Sequence, residues 1–265
     1  MGPPKNTYPL NTYGVVRILA GALVAVLLIP YLLTPLYLFV RPVSTLMLWR
    51  SATRQRVERA WVPLERISLE LPLTVIVAED ARFCSHWGVD FQELREAIEE
   101  ADDITGARGG STITQQLAKN LFLWPGRSFV RKALEFPLAL WINLVMSKRR
   151  QLEIYLNIVE WGPGGIFGAE AASKHAFGKQ AEDLDLREAA LLAATLPNPQ
   201  RRNPGQPSPV LGRLAGIYQV RSMASQDAVD CLRRRHVERN PVDARSVPAS
   251  AHILLRKRVR PSGQT

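Results

Sequence analysis

The sequence predicts a mainly α-helical protein with one transmembrane helix near its amino end. Three observations carry this. Apolar residues recur at helical spacing in one block after another, and no strand-like alternation persists anywhere. Between Arg17 and Arg41 there is no charged residue, and ILAGALVAVLLIPYLLTPLYLFV is long enough to cross a hydrocarbon core of ~30 Å.

Taken in order, residues 1–17 form a short polar tail and 18–40 the anchor. The apolar run is too long for a signal-peptide core, and no small-residue cleavage site follows it, so it reads as retained. Pro30 and Pro35 fall in its second half, and Tyr31 and Tyr37 suit an interface. Lys5 and Arg17 precede the span while Arg41, Arg50, Arg54, Arg56 and Arg59 follow it, so charge counting alone places the following domain inside the cell. Residues 41–69 read as a juxtamembrane connection in which PVSTLMLW is apolar enough to stay near the bilayer and SATRQRVERAW is a helical candidate. Helical blocks are expected at 73–84, 91–101, 112–123, 130–147, 149–160, 168–177 and 186–196. Loops are expected at Ala101–Gly110, Leu123–Ser128, Trp161–Gly165 and Leu196–Pro209, where glycine, proline and polar residues cluster. One domain over 70–221 is the natural reading, followed by a basic, partly disordered tail at 222–265.

The formal net charge of +10 does not make this a nucleic-acid-binding domain. Residues 201–265 hold 13 Lys or Arg against 4 Asp or Glu, so nearly all of the excess belongs to the carboxyl end. Cys84 and Cys231 match no metal-ligand or redox spacing, and read as two unpaired thiols, with a disulfide open to them in an oxidising compartment.

Three stretches carry chemistry. GGSTITQQLAKN, residues 109–120, is a Gly-rich lead-in to a helix with Ser111 or Thr112 near its N-cap; free backbone N–H groups there favour an anion, and an ordinary capped helix is the plain alternative. In AEDARFCSHWG, residues 78–88, a continuous helix would put Glu79, Arg82, Phe83 and His86 on one face. The neighbouring Asp80 and burial near Phe83 would raise a carboxyl pKa toward that of a useful base, while a solvated Glu79–Arg82 pair is the plain alternative. RSFVRKALEFPLAL, residues 127–140, puts Arg127, Arg131 and Glu135 on one helix face. With Lys119, this gives two carboxylates near several phosphate-capable cations, a set that fits glycosyl transfer from a sugar diphosphate.

EDARFCSHWG, GGSTITQQLAKN, RKALE and KRRQLEIYLNIVEWG, in this order and spacing, resemble the successive motifs of the family-51 peptidoglycan glycosyltransferases, and GAEAASKHAFGK and LREAALLAATLPNPQRRNP extend the resemblance over roughly residues 70–210. The resemblance implies a lysozyme-like helical domain with a hydrophobic jaw that dips into the bilayer, placed here between Gly110 and Met146 with Trp124 and Phe129 exposed. It implies polymerisation of lipid II, a disaccharide-pentapeptide on polyprenyl diphosphate, at the outer face of the bacterial inner membrane, without a transpeptidase domain. By similarity Glu79 is the general base on the acceptor 4-hydroxyl, and inversion gives a β-1,4 bond as the diphosphate leaves. Lys119 and Arg127 match diphosphate positions and Glu135 the second essential glutamate. Asp80, Ser111, Thr112, Gln115, Gln116, Asn120 and Lys132 match positions around the donor and acceptor pockets. In KRRQLEIYLN, Leu152, Tyr155 and Leu156 have core spacing and read as packing. No metal ligand set is apparent and no cofactor is required; a divalent Mg or Mn ion at the diphosphate is compatible with the motifs. The implied partners are lipid II, the nascent glycan, the bilayer and cell-wall or division proteins, with no nucleic acid. A lysozyme-like hydrolase needs no diphosphate site, which sets Lys119 and Arg127 against it; a non-catalytic scaffold would have lost Glu79 or Glu135.

Overall fold

A computed structural model of the chain describes residues 12–99, 110–126 and 128–233. Helix α1, Thr12–Leu36, begins before the expected apolar span and ends sooner. Its stretch Tyr13–Leu36 has a mean hydropathy of 2.4 and is long and apolar enough to cross a membrane. The helix runs through both prolines. Pro35 has no N–H, so the Tyr31 carbonyl one turn back lacks its helical donor. The indole N–H of Trp141 supplies that donor at 3.1 Å, and the two rings lie 5.9 Å apart. A proline that would weaken an isolated helix thereby docks α1 onto the domain.

The connection after α1 is packed. Ser44 caps α2, Thr45–Ala52, accepting from the Met47 N–H at 3.1 Å, and Met47 is buried. SATRQRVERAW is helical only at its start: Arg54 adopts φ 55° just past α2, and Glu58–Arg59 become strand β1. With β2, Glu160–Gly162, and β3, Ile166–Phe167, β1 forms a small sheet of order β1-β3-β2, parallel at β1-β3 and antiparallel at β2-β3. Strands this short show no alternation, which is why the sequence shows none. Gly165, at φ 82°, permits the approach, since a Cβ there would sit 2.0 Å from the Arg56 carbonyl oxygen.

The helical blocks correspond to α3, Glu70–Glu79; α4, Phe91–Glu99; α5, Ile113–Phe122; α6, Phe129–Val145; α7, Lys148–Ile158; α8, Ala169–Phe177; and α9, Leu186–Thr195. The first departs from expectation. Helix α3 stops at Glu79, because Asp80 leaves the helical region at φ −165°, ψ 71°. Residues 80–90 are not helical, with turns at 81–85, so Glu79, Arg82, Phe83 and His86 do not share a helix face. A further helix, α10, Pro209–Ala224, follows the expected loop, with Ser208 as N-cap and Pro209 in the first turn.

Helix α3 is buried on all sides from Leu71 to Val77 and packs against α9 and α10. Alanines on α9 make that packing close: Ala190 and Ala194 meet Leu211 and Ala215 of α10 in one cluster. In α7, Leu152, Tyr155 and Leu156 are fully buried, as their spacing implied. Asn157 accepts from the Val62 N–H at 2.9 Å and donates to its carbonyl at 2.8 Å, pinning the connection to the core.

Cys84 and Cys231 are joined by a disulfide, which corrects their reading as free thiols. The fold brings their Cα atoms to 5.4 Å across a separation of 147 residues, a proximity no local spacing displays. The chain stays packed beyond 221, with Ser222 and Val229 fully buried; the tail from 234 lies outside the described residues.

Candidate active site

Glu79 is the last residue of α3, where the helix stops. Its Oε2 accepts from the Gln116 side-chain amide at 2.8 Å. The Gln116 carbonyl oxygen accepts in turn from the Tyr155 hydroxyl at 2.9 Å. Tyr155 is fully buried, and burial holds its pKa well above the ordinary value, so it stays a donor. That donor fixes the amide orientation and leaves its NH₂ for Glu79. Burial raises the Glu79 pKa; the Gln116 hydrogen bond, Lys119 and Arg202 oppose it, and Asp80 adds to it. Burial wins, so the carboxylate is more basic than an exposed one.

Asp80 serves the scaffold. Its buried carboxylate accepts from the Ile113 N–H at 2.9 Å, in the first turn of α5, and lies 2.9 and 3.0 Å from His86 Nε2. The Gly88 N–H donates to His86 Nδ1 at 3.1 Å, so Nδ1 is unprotonated and Nε2–H donates to Asp80. Beneath them the Lys148 ammonium lies 4.5 Å from the Phe83 ring centre, its pKa lowered to about 8 by burial against the pull of Asp80.

The amino end of α5 is likewise occupied by the protein's own groups. Thr112 and Gln115 form a capping box: the Thr112 hydroxyl accepts from the Gln115 N–H at 3.1 Å, and the Gln115 side chain accepts from the Thr112 N–H at 3.0 Å. The Thr112 hydroxyl also donates to the Gly88 carbonyl at 2.6 Å. The anion expected at this helix end is therefore Asp80, and Thr112 and Gln115 are buried.

Cations gather two turns further along α5 and on α6. Lys119 is half-buried, and its pKa is lowered by burial and then by Arg131, with Glu79 opposing. Its ammonium makes no hydrogen bond or ion pair among the described residues. Arg131 and Lys132 differ: both engage the buried Glu135, Arg131 in a tight i,i+4 pair and Lys132 at 3.3 Å. Lys132 Nζ also lies 2.6 Å from the Ser111 hydroxyl. Arg131 and Lys132 both have pKa values lowered by burial, and Arg131 and Lys119 further lower that of Lys132. Glu135 thus holds two cations that repel each other.

The structure brings Glu79, Gln116 and Lys119 into one electrostatic group, and Ser111, Lys132 and Glu135 into a second that reaches it through Arg131. Of Asn120 only the carbonyl is seen in use, accepting from Thr45 at 3.3 Å. Arg127 lies outside the described residues. Arg82 pairs with Asp90 at 2.7 Å rather than with Glu79. Arg131 belongs to the site on geometry although the motif comparison passed over it. Arg202 and Tyr218 couple to Glu79 electrostatically: the charge of Arg202 lowers the Glu79 pKa, and Glu79, after burial, helps raise that of the half-buried Tyr218. The RRNP stretch was the only sequence signal for Arg202, and Tyr218 lies on the helix the pattern did not reveal.

Among the described residues no three His, Cys, Asp or Glu side chains come together as a metal site. Glu135, the carboxylate between Arg131 and Lys132, is already paired with both. Among the described residues that donor set does not fit a protein-held divalent ion. Trp124, Phe129, Val130 and Leu144, in the segment expected to form an apolar jaw, are exposed.

A family profile described as Transglycosylase matches residues 47–218. A protein named biosynthetic peptidoglycan transglycosylase from Nitrobacter winogradskyi is 57% identical over 211 residues, covering 80% of this chain and 93% of that one. Proteins of the same name from Rhodopseudomonas palustris and Agrobacterium fabrum are 55% and 51% identical, over 85% and 79% of this chain and 95% and 93% of theirs.

Proposed function

The chain belongs to the transglycosylase family and is a peptidoglycan glycosyltransferase with lipid II and the glycan chain as its substrates, and from that premise we propose how its cleft performs the transfer. Glu79 is the general base. It takes the proton of the acceptor sugar's 4-hydroxyl as that oxygen bonds to the anomeric carbon of the growing chain, while the bond from that carbon to the diphosphate oxygen breaks. The leaving diphosphate, with its polyprenyl tail, takes the electron pair. One-step displacement inverts the anomeric carbon.

A single observation carries this reading: a partly desolvated carboxylate, held by one amide, interacts electrostatically with Lys119, whose ammonium makes no ion pair among the described residues. Charge grows on the diphosphate as the bond breaks, so a preplaced ammonium stabilises the transition state more than the ground state. Arg131 and Lys132 extend the cationic surface, and Arg127 is assigned there by its motif position. Glu135 is a positioning residue that keeps Arg131 and Lys132 side by side. Ser111 steers Lys132. Asp80, Thr112 and Gln115 act by fixing the start of α5, from which Gln116 and Lys119 project.

The apolar α1 is the anchor, the exposed aromatics of the jaw face lipid, and the catalytic domain lies on the periplasmic side of the inner membrane. The disulfide supports that orientation, since such bonds persist in oxidising compartments. Labelled lipid II incubated with purified full-length protein should yield polymer that lysozyme digests. Lys119→Met should lower kcat by on the order of 10²-fold, the scale of losing one preorganised charge donor. Unchanged turnover in that variant would remove Lys119 from the diphosphate site.

A further inference from the structure

We propose that Arg41 and Arg59, beside Trp61 at the carboxyl end of α1, bind the phosphate of an anionic phospholipid headgroup. The proposal rests on α1 being a membrane anchor. Around the end of α1 most arginines have acids: Arg50 pairs with Glu160 at 2.6 Å, Arg56 with Glu58 at 2.5 Å, and Arg150 with Glu153 at 2.6 Å. Arg149 pairs with Glu65. Arg41 and Arg59 have none among the described residues, and after the larger effect of burial the charge of Arg41 also lowers the Arg59 pKa. Arg59 Nε and Nη2 are buried without a hydrogen-bond partner. Two neighbouring like charges, one of them with buried donors that lack a partner, are costly unless an anion joins them.

The surroundings select its source. The Arg59 guanidinium lies 4.8 Å from the Trp61 ring centre and that of Arg150 lies 5.6 Å from it. Arg150 also donates to the Tyr37 carbonyl at 3.0 Å and the Val40 carbonyl at 2.5 Å, so it closes the end of α1 and is not available to a ligand. Phe39, Leu48 and Trp49 are exposed on the same connection. An apolar helix end, exposed apolar side chains and a tryptophan mark the level of the headgroups, where a lipid phosphate gains acyl contact that free phosphate does not.

The test is native mass spectrometry of the full-length protein in neutral detergent, titrated separately with phosphatidylglycerol and phosphatidylcholine. The wild type should retain phosphatidylglycerol roughly tenfold better, and Arg41→Gln/Arg59→Gln should lose that preference. Arg41→Gln alone, at an exposed side chain whose loss leaves the fold intact, should lose part of it. Equal retention of both lipids by the wild type, or an undiminished preference in the double variant, would overturn the proposal. Loss of the preference in millimolar inorganic phosphate would overturn the lipid assignment in favour of a free-anion site. Alkaline carbonate extraction reads the anchor separately: wild type and variants should all stay with the membrane, and release of the wild type would refute the anchor whatever the lipid titration shows.

Discussion

At Glu79 burial and hydrogen bonding act in opposite directions, and the excess of burial makes the base. The acid limb of the kcat/KM profile should therefore lie above the ordinary glutamate value of ~4.3. Gln116→Leu removes a hydrogen bond that favours the ionised form, so it should move that limb to higher pH, as a pH–rate series would show. A limb that stays put would mean that Gln116 acts elsewhere. The stability sign follows from the same shift. A carboxyl with a raised folded pKa contributes stability below the unfolded pKa and loses it as pH rises through the folded one. Ionising this partly buried carboxyl therefore costs stability, and replacing it with a neutral side chain should not lower the melting temperature.

Among the elements, α5 shows how one helix serves both scaffold and chemistry: its first turn is closed by Asp80, Thr112 and Gln115, while Gln116 and Lys119 engage Glu79. The sequence shows α4 to α9 well because each alternates apolar and polar residues at helical spacing and most begin with a Ser, Thr or Asp cap. It shows the end of α3 poorly, because Asp80 leaves the helix to bond a backbone N–H 33 residues on, a contact local spacing cannot encode. Helix α10 is hidden by its mixed faces and by Gly212 and Gly216, and the disulfide by its long separation. Glu79, Lys119 and Glu135 were singled out by motif order, which can be read without coordinates; Tyr155 was read as core, and its hydroxyl turns out to orient Gln116. The disulfide ties the turn after Asp80 to the segment beyond α10. In the chain-entropy view a loop this long is worth about 5 kcal/mol. Cys84→Ser/Cys231→Ser should lower the melting temperature in a thermal scan, and an unchanged scan would show the bond to be dispensable.

For the whole molecule the arginines after α1 bear on orientation. Charge counting sets them against a periplasmic domain, yet Arg50 and Arg56 are matched by acids within the fold, and long domains translocate with little regard to nearby charge. A periplasm-dependent reporter fused after Arg221 should be active, whereas a reporter active only in the cytoplasm would place the domain away from its lipid-borne substrate. The most direct test of the account is the polymerisation rate of Glu79→Gln on labelled lipid II, measured beside its melting temperature. We predict a rate reduced by at least ~10²–10⁴-fold, the usual worth of a general base, with a melting temperature no lower than that of the wild type. Polymerisation at the wild-type rate by the folded variant would contradict it.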